Sequence, residues 1–136
     1  MQDVLVARVM STDPVTVTPD TFVEPAAELM LDQEIGSLLV VDEDGALRGI
    51  LTTTDFVAIV AASKPKAETT VERYMSTDMV TAGAQDSVKE VANLMTEHGF
   101  HHVPVVDEEE GLIGMVSTTD IAKYVAGLDP AAADVA

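Results

Sequence analysis

Apolar residues in the first half of the chain change their spacing in a definite order. Alternation over residues 15–17 predicts a short strand, and apolar positions three to four residues apart over 21–33 predict a helix that Gly36 ends. Residues 37–41 form a continuous apolar run, which is typical of a strand buried on both faces. After an acidic turn, residues 47–52 predict the returning strand of a hairpin.

Polar residues at the expected helix starts agree with this order. Thr21 followed by Glu24 has the spacing of a capping box, and Pro25 falls in the first turn, where a missing N–H costs little. Thr53 or Thr54 is expected to cap a final helix that runs through the apolar residues near position 60. The first half therefore predicts a β-α-β-β-α unit.

The second half repeats the first without a gap. Shifting residues 6–60 by 65 positions aligns them with 71–125, and 22 of the 55 pairs are identical. The repeat predicts the same elements again: a strand near Val80, a helix over 86–97, strands over 103–106 and 112–117, and a helix over 119–126. Two copies are too few for a solenoid, so we expect an α/β (α+β) fold in which two β-α-β-β-α repeats pack about a pseudo-twofold axis.

Length and composition limit the architecture and the chemistry. The predicted division is a first repeat over 1–62, a polar linker over 63–70, a second repeat over 71–127 and a flexible acidic, Ala-containing tail over 128–136. Each half is marginal as a domain, so the halves are expected to share one core.

No apolar stretch is long enough for a membrane span, no secretory signal is visible, and a cytoplasmic location is expected by default. The absence of Cys excludes disulfides, thiolate nucleophiles and Cys-ligated metals.

The charge balance is strongly acidic, with 24 Asp and Glu residues against 7 Lys and Arg residues. Such a surface repels nucleic acid and anionic lipid, so neither is expected as a partner. The acids are spread along an otherwise apolar chain, which indicates a folded protein rather than a disordered one. We hypothesise a halophilic protein, because at molar ionic strength the Debye length is only about 3 Å; an unchanged melting temperature between low salt and molar KCl would contradict this.

One motif with candidate chemistry occurs in both copies. The last strand of each repeat ends in Gly-x-x-[Thr/Ser]-Thr-Thr-Asp, at 49–55 and 114–120. Hydroxyls and free N–H groups at a helix start suit an oxyanion, and a carboxylate one turn later suits the diol of a ribose. Thr and Asp are also ordinary capping residues, so a single copy would leave both interpretations open. Its recurrence in the same register favours a binding site.

The segments VMSTDPVTVTPDTFVEPAAELM, IGSLLVVDEDGALRGILTTTD and HGFHHVPVVDEEEGLIGMVSTTD together resemble a tandem cystathionine β-synthase (CBS) domain pair, or Bateman module, over residues 6–126. The resemblance implies a regulatory module that is not an enzyme and requires no cofactor. Such pairs bind AMP, ADP, ATP or S-adenosylmethionine in clefts between the repeats, and they usually form disk-shaped homodimers.

The resemblance also implies which residues bind the ligand. In the cleft with the second-repeat Asp, these are Met10, Asp13, Val15, Ile35, Gly36, Met115, Ser117, Thr119, Asp120, His101 and His102. In the cleft with the first-repeat Asp, they are Ile50, Thr52, Thr54, Asp55, Met75, Asp78, Val80, Phe100 and His101. The two Asp residues would hold ribose hydroxyls, and the apolar residues would sandwich the base.

Departures from the family pattern make the two clefts unequal. Many relatives carry Arg or Lys just before the ribose-binding Asp, where this chain has Thr54 and Thr119. The second repeat has a histidine pair, His101 and His102, where the first has Gly36 and a serine. Phosphate is therefore expected to bind better near the His pair, whose charge would appear below about pH 6.5.

Metal binding is the less favoured interpretation of the histidines. His101 and His102 would point to opposite faces of a strand, so with His98 they do not converge on one ion. The Glu108–Glu110 run lacks the alternating ligands and central Gly of a Ca²⁺ loop and is read as a solvated turn. No metal site is predicted.

The leading hypothesis is a sensor of an adenosyl ligand that signals in trans to an effector protein the sequence does not identify. Its alternative is a ligand-free dimerisation or scaffold module with degenerate clefts, which the missing Arg or Lys favours. Enzyme activity ranks third, because the chain has no nucleophile constellation or metal spacing. The net charge of −17 favours AMP or S-adenosylmethionine over ATP without metal.

Overall fold

A computed structural model of the chain describes residues 4–62 and 68–127. The helices are α1 (Val6–Val9), α2 (Val23–Gln33), α3 (Thr53–Ala61), α4 (Val71–Tyr74), α5 (Val88–His98) and α6 (Thr118–Val125). The strands are β1 (Thr16–Val17), β2 (Ser37–Val41), β3 (Leu47–Thr52), β4 (His102–Asp107) and β5 (Gly111–Ser117). The fold is mixed α/β, as the hydrophobic pattern predicts.

The chain divides into two compact units. Among the described residues, the first-repeat unit comprises 15–62 and 68–79, and the second-repeat unit comprises 4–14 and 80–127. In the first-repeat unit, β2 lies between β1, to which it is parallel, and β3, to which it is antiparallel. In the second-repeat unit, β4 and β5 form an antiparallel pair.

The short helices α1 and α4, which the hydrophobic pattern does not reveal, explain why these units differ from the sequence repeats. At the start of α4, the Val71 N–H donates to the Thr21 carbonyl (2.8 Å) in the first-repeat unit. Near α1, the Val88 N–H donates to the Val4 carbonyl (2.7 Å) in the second-repeat unit. The first residues of each sequence repeat therefore pack with the other copy.

Each unit has a buried apolar cluster of its own, where the chain length predicted one shared core. The first cluster includes Leu38, Val40 and Leu51, and Val71 of α4 joins it. The second includes Val91, Val103, Val105 and Val116, together with Val6 of α1. Burial of strand β2 is as predicted, because Leu38, Leu39 and Val40 are all fully buried.

Several predicted boundaries are wrong by a few residues. Helix α2 is preceded by Phe22 with no side-chain cap, and the Thr21 hydroxyl instead accepts from the Thr18 N–H (3.2 Å). The helix is closed by Glu34 in the left-handed conformation rather than by Gly36. The strand expected near Val80 is reduced to one parallel bridge of Ala82 with Val105.

The predicted linker lies partly outside the described residues, and the predicted tail 128–136 lies wholly outside them. Among the residues that the structure describes, no helix combines the length and the apolar character needed to cross a membrane.

Candidate functional site

The first feature of the candidate site is a closed capping box at the start of α6. The Asp120 N–H donates to the Ser117 hydroxyl (3.0 Å), and the Ser117 N–H donates to Asp120 Oδ2 (2.8 Å). The second carboxylate oxygen, Oδ1, accepts no hydrogen bond from any residue that the structure describes. Capping therefore occupies one oxygen of a half-buried carboxylate and leaves the other available to an external donor.

The start of α3 has a similar capping box, whose first residue lies one position earlier than predicted. Thr52, rather than Thr53 or Thr54, is the capping residue. Its N–H donates to Asp55 Oδ2 (2.8 Å), and its hydroxyl lies 3.2 Å from the same oxygen. Within the described ranges, Asp55 Oδ1 also has no hydrogen-bond partner. Thr54 and Thr119 lie within the boxes, immediately before each Asp, and are exposed.

Beside each box, a neighbouring segment pairs with the last strand. In the second-repeat unit, Ser11 and Met115 exchange two backbone hydrogen bonds (2.8 and 3.0 Å). In the first-repeat unit, Ser76 and Ile50 do the same (2.8 and 3.0 Å). Two hydrogen bonds between directly opposed residues fix the segment against the strand.

This pairing requires glycine in the strand next to it. A Cβ on Gly114 would lie 2.6 Å from the Ser11 carbonyl oxygen and 2.9 Å from Met10 Sδ. A Cβ on Gly49 would lie 2.8 Å from both the Ser76 carbonyl oxygen and Met75 Sδ. The sequence signal for this close packing was present in the two identical glycines, whose role sequence reasoning missed.

The start of each final helix also contacts the loop before the first strand of its hairpin, which is β2 or β4. The Thr118 N–H donates to the His101 carbonyl (2.9 Å), and the Thr53 N–H donates to the Gly36 carbonyl (3.2 Å). These two contacts are repeat-equivalent, so the His101 and Gly36 carbonyls each lie at the start of the final helix of their own unit.

We call the Ser117–Asp120 box and the segments that contact it the Asp120 group, and the Thr52–Asp55 box with its contacting segments the Asp55 group. The histidine pair adds an electrostatic feature to the Asp120 group alone. His102 is half-buried and is paired with Ser117 across β4 and β5, whereas His101 is exposed. Burial lowers the pKa of His102 below its ordinary value, the neighbouring His101 lowers it further, and Asp120 opposes the shift. His102 therefore gains its charge at a lower pH than a solvated imidazole does, because a half-buried imidazolium loses hydration.

The structure brings most of the predicted residues together within single units. The second-repeat unit holds Met10, Asp13, Met115, Ser117, Thr119, Asp120, His101 and His102, and also Val80 and Phe100. The first-repeat unit holds Ile50, Thr52, Thr54, Asp55, Met75 and Asp78, and also Val15, Ile35 and Gly36. Each predicted cleft thus takes residues from both units. For each cleft, the residues that belong to the unit without its Asp stay predictions.

Asp13 and Asp78 are exposed and have no hydrogen bond to any other described residue through their carboxylates. No hydrogen bond among the described residues therefore fixes either carboxylate to the groups described above.

The metal interpretation of the histidines finds no geometric support in the described ranges. The His98 ring stacks on Phe100, with ring centres 5.6 Å apart and an interplanar angle of 14°. Across residues 4–62 and 68–127, no three His, Asp or Glu side chains are placed to hold one ion.

A groove of about 500 Å³ in the first-repeat unit lies away from these groups. It is lined by Thr18, Pro19, Asp20, Asp42, Glu43, Asp44 and Glu72. None of the predicted ligand residues lines it. The equivalent groove of the second-repeat unit contains Asp86, Asp107 and Glu108.

The family model for the CBS domain matches residues 6–62 and 71–127. The chain belongs to the CBS domain family, with two such domains in tandem. These matched ranges coincide with the internal repeat.

Individual relatives agree with the family assignment. The "CBS domain-containing protein YhcV" of Bacillus subtilis is 34% identical, over 83% of this chain and 79% of that protein. The crystal structure of the CBS domain pair of protein MJ0100, in complex with 5'-methylthioadenosine and S-adenosyl-L-methionine, has a TM-score of 0.84 at 30% identity and covers 93% of this chain and 98% of that one. The structure of CBSX2 in complex with AMP (TM-score 0.78, 23% identity, covering 90% of this chain and 96% of that one) shows the fold alone.

Longer relatives contain a similar segment. The chain spans about a quarter of the length of a homoserine O-acetyltransferase from Methanosalsum zhilinae, to which it is 30% identical over 92% of its own residues.

Proposed function

We propose that this protein binds an adenosyl ligand at the Asp55 and Asp120 groups and that ligand binding regulates a separate protein. The observation that carries the proposal is the capped carboxylate whose second oxygen is bonded by no described residue, which occurs at the same place in both units. An ionised carboxylate accepts hydrogen bonds from a vicinal diol, so ribose is a suitable occupant. The similar MJ0100 pair, which was crystallised with two adenosyl compounds, supports this ligand class.

The surroundings of the carboxylates favour a ligand with little negative charge. Thr54 and Thr119 stand immediately before the two Asp residues and supply no cation. The lowered pKa of His102 leaves its imidazole neutral at pH 7, so it supplies hydrogen bonding but no charge. With a net charge of −17, the chain repels polyphosphates unless salt or Mg²⁺ screens them. We therefore propose S-adenosylmethionine or AMP ahead of ADP and ATP.

The proposal is tested by thermal shift in molar KCl with AMP, ADP, ATP with and without Mg²⁺, S-adenosylmethionine and adenosine. A ligand at a hundredfold excess over its Kd stabilises the folded state by about 2.7 kcal/mol. A panel in which no adenosyl compound raises the melting temperature would contradict the proposal.

The two carboxylates are tested by Asp120→Ala and Asp55→Ala, each compared with Asp86→Ala. Asp86 is a suitable control because its Oδ2 accepts the Gly83 N–H (2.8 Å), which is a local hydrogen bond outside both groups. All three variants lose a backbone contact, but only the first two should lose ligand affinity. An unchanged ligand shift in Asp120→Ala and Asp55→Ala would mean that the ribose assignment is wrong.

The second candidate function is a ligand-free homodimeric scaffold. It is favoured by the absence of Lys or Arg at positions 54 and 119. The two candidates are separated by the ligand panel, since a scaffold gives no shift with any compound whatever its oligomeric state.

A further inference from the structure

Each unit places a partly exposed methionine against a strand glycine. A Cβ on Gly114 would lie 2.9 Å from Met10 Sδ and 3.3 Å from Met10 Cγ. In the first-repeat unit, a Cβ on Gly49 would lie 2.8 Å from Met75 Sδ and 3.0 Å from Met75 Cγ. Each thioether therefore fills the space beside the strand that a side chain at the glycine would need. Both methionines pack against the apolar cluster of their own unit, and both keep part of their surface exposed.

Each unit also has a second methionine, which is buried. Met30 of α2 and Met95 of α5 are repeat-equivalent, and each is 5% exposed within the apolar cluster of its unit. Because the chain has no Cys, thioethers are its only oxidisable sulfur groups. Oxidation by a dissolved reagent follows the exposure of the sulfur. Such a reagent therefore distinguishes Met10 and Met75 from Met30 and Met95.

We infer that Met10 and Met75 are sites of reversible oxidation by peroxides, at which sulfoxide formation weakens the pairing of the neighbouring segment with the last strand of the unit. The thioether sulfur attacks the peroxide O–O bond and takes one oxygen, and the sulfur thereby loses two electrons. The proton of that oxygen passes to the second oxygen, which leaves as water or as an alcohol. Two thiols of a sulfoxide reductase reverse the step: they become a disulfide, and the sulfoxide oxygen leaves as water.

The contact with glycine leaves no room for the added oxygen on the strand side. A carbon atom at the Cβ position of Gly114 would already be too close to Met10 Sδ, at 2.9 Å. Away from the strand, the S=O group would face either the apolar cluster or water, and only water satisfies its polarity. The oxidised side chain is therefore expected to turn outwards and to leave Gly114 uncovered.

The pairing beside each glycine is directly linked to the methionine. Ser11 follows Met10 in the chain and exchanges two backbone hydrogen bonds with Met115 (2.8 and 3.0 Å). Movement of the methionine out of its contact therefore acts on the adjacent pair of hydrogen bonds. The first-repeat unit repeats this order with Met75, Ser76 and Ile50.

The selectivity is tested by exposing the folded full chain to hydrogen peroxide in molar KCl and quantifying sulfoxide at each methionine by peptide mass spectrometry. Met10 and Met75 should be oxidised roughly tenfold or more faster than Met30 and Met95, because burial protects the latter pair. In the urea-unfolded chain the four rates should become equal, which would show that the difference comes from the fold.

The structural consequence is tested by amide hydrogen exchange of the oxidised full chain. Oxidation should increase several-fold the exchange rates of the Ser11 and Met115 N–H groups, each of which donates across the pairing. The Ala82 N–H donates to the Pro104 carbonyl (2.9 Å) in the same unit and is the internal control, whose rate should not change. Treatment with methionine sulfoxide reductases and a thiol should restore the original rates.

A double variant, Met10→Leu with Met75→Leu, separates these residues from the other partly exposed methionines, Met79 and Met115. Leu is close to Met in volume and has no sulfur to oxidise, so the untreated variant should fold. Its exchange rates and its urea midpoint should stay the same after peroxide treatment.

The matched control is the double variant Met30→Leu with Met95→Leu, which removes the buried pair. It should respond to peroxide as the wild type does, with faster exchange and a lowered urea midpoint.

Three results would overturn the inference. Equal oxidation of the four methionines in the folded protein would mean that the partly exposed sulfurs are not preferred. Complete oxidation of Met10 and Met75 without faster exchange at Ser11 and Met115 would mean that the glycine contact does not support the pairing. An undiminished response in the first double variant would assign the effect to other methionines. None of these measurements involves a ligand, so their outcome is independent of the proposed ligand binding.

Discussion

The two units reach the same fold with helices that begin and end differently. In the second-repeat unit, Ser87 caps α5 by accepting the Glu90 N–H (3.1 Å), and Gly99 closes the helix at φ 71°. In the first-repeat unit, the equivalent positions are Phe22, which makes no side-chain cap, and Glu34, which adopts φ 55°. The first copy thus tolerates unfavourable end residues, which shows that burial of the helix rather than its ends determines the fold.

The candidate ligand groups show a complementary difference. Both units have the box of hydroxyl and carboxylate at the last helix, with backbone distances of 2.8 Å to Oδ2 in each. Only the second-repeat unit adds a half-buried histidine, at the position where the first has the buried Ser37. The shared box indicates a common ligand feature, whereas the histidine makes one group sensitive to pH.

The largest expected effect is a loss of stability when the close packing at the strand glycines of both units is disturbed. Gly114→Ala should lower the free energy of unfolding by about 2–3 kcal/mol, because its Cβ would meet the Ser11 carbonyl oxygen at 2.6 Å. Gly49→Ala should cost slightly less, since the corresponding backbone contact is 2.8 Å. Urea denaturation in molar KCl measures both values.

Gly83→Ala is the control for that measurement. The nearest atom to a Cβ there is 3.8 Å away, so the change should stay within about 0.5 kcal/mol. If Gly114→Ala and Gly83→Ala were equally stable, the pairing of the Ser11 segment with β5 would be wrong.

Substitution by glycine should raise the free energy of unfolding at the end of α2 and lower it in the middle of the same helix. Glu34→Gly should stabilise the protein by about 1 kcal/mol, because a left-handed residue with a Cβ is strained. Glu28→Gly, in the middle of α2, should destabilise it by about 1 kcal/mol. Chemical denaturation of the pair measures the difference, and destabilisation by both would show that Glu34 is not strained.

The helix starts give the next test. Ser87→Ala should cost about 1 kcal/mol, because it removes the hydroxyl that accepts the Glu90 N–H. The reverse change, Phe22→Ser, should gain only a few tenths of a kcal/mol, because the equivalent donor position is Pro25, which has no N–H. Thermal denaturation compares the two, and a full 1 kcal/mol gain in Phe22→Ser would contradict this explanation.

Sequence periodicity predicted the strands and long helices because burial sets their pattern. The ranges of β2 and β3 are as predicted, and the family resemblance is confirmed by the two matched CBS domains. The short helices α1 and α4 were missed because four residues carry too little periodicity. The exchange of the segments around Val6 and Val71 between the copies could not be predicted, because nearly identical segments fit either copy equally well by pattern.

The smallest expected effect is a pH dependence of stability that distinguishes the Asp120 group from the Asp55 group. Because the folded-state pKa of His102 lies below its ordinary value, the unfolded chain binds more protons as pH falls below about 7. The contribution of His102 to stability is therefore full at neutral pH and decreases as pH falls through its unfolded pKa of about 6.5 towards the folded value.

His102→Gln should remove this part of the decrease in melting temperature between pH 7.5 and pH 5, leaving the contribution of the other groups. Asp120→Asn should instead extend the decrease to lower pH, because the Asp120 charge opposes the effect of burial on the pKa of His102. Parallel scans of the wild type and both variants check the prediction. If the melting temperature decreased equally with falling pH in the wild type and in His102→Gln, the histidine would be as well solvated in the folded protein as in the unfolded chain. In that case the electrostatic distinction between the two groups would disappear.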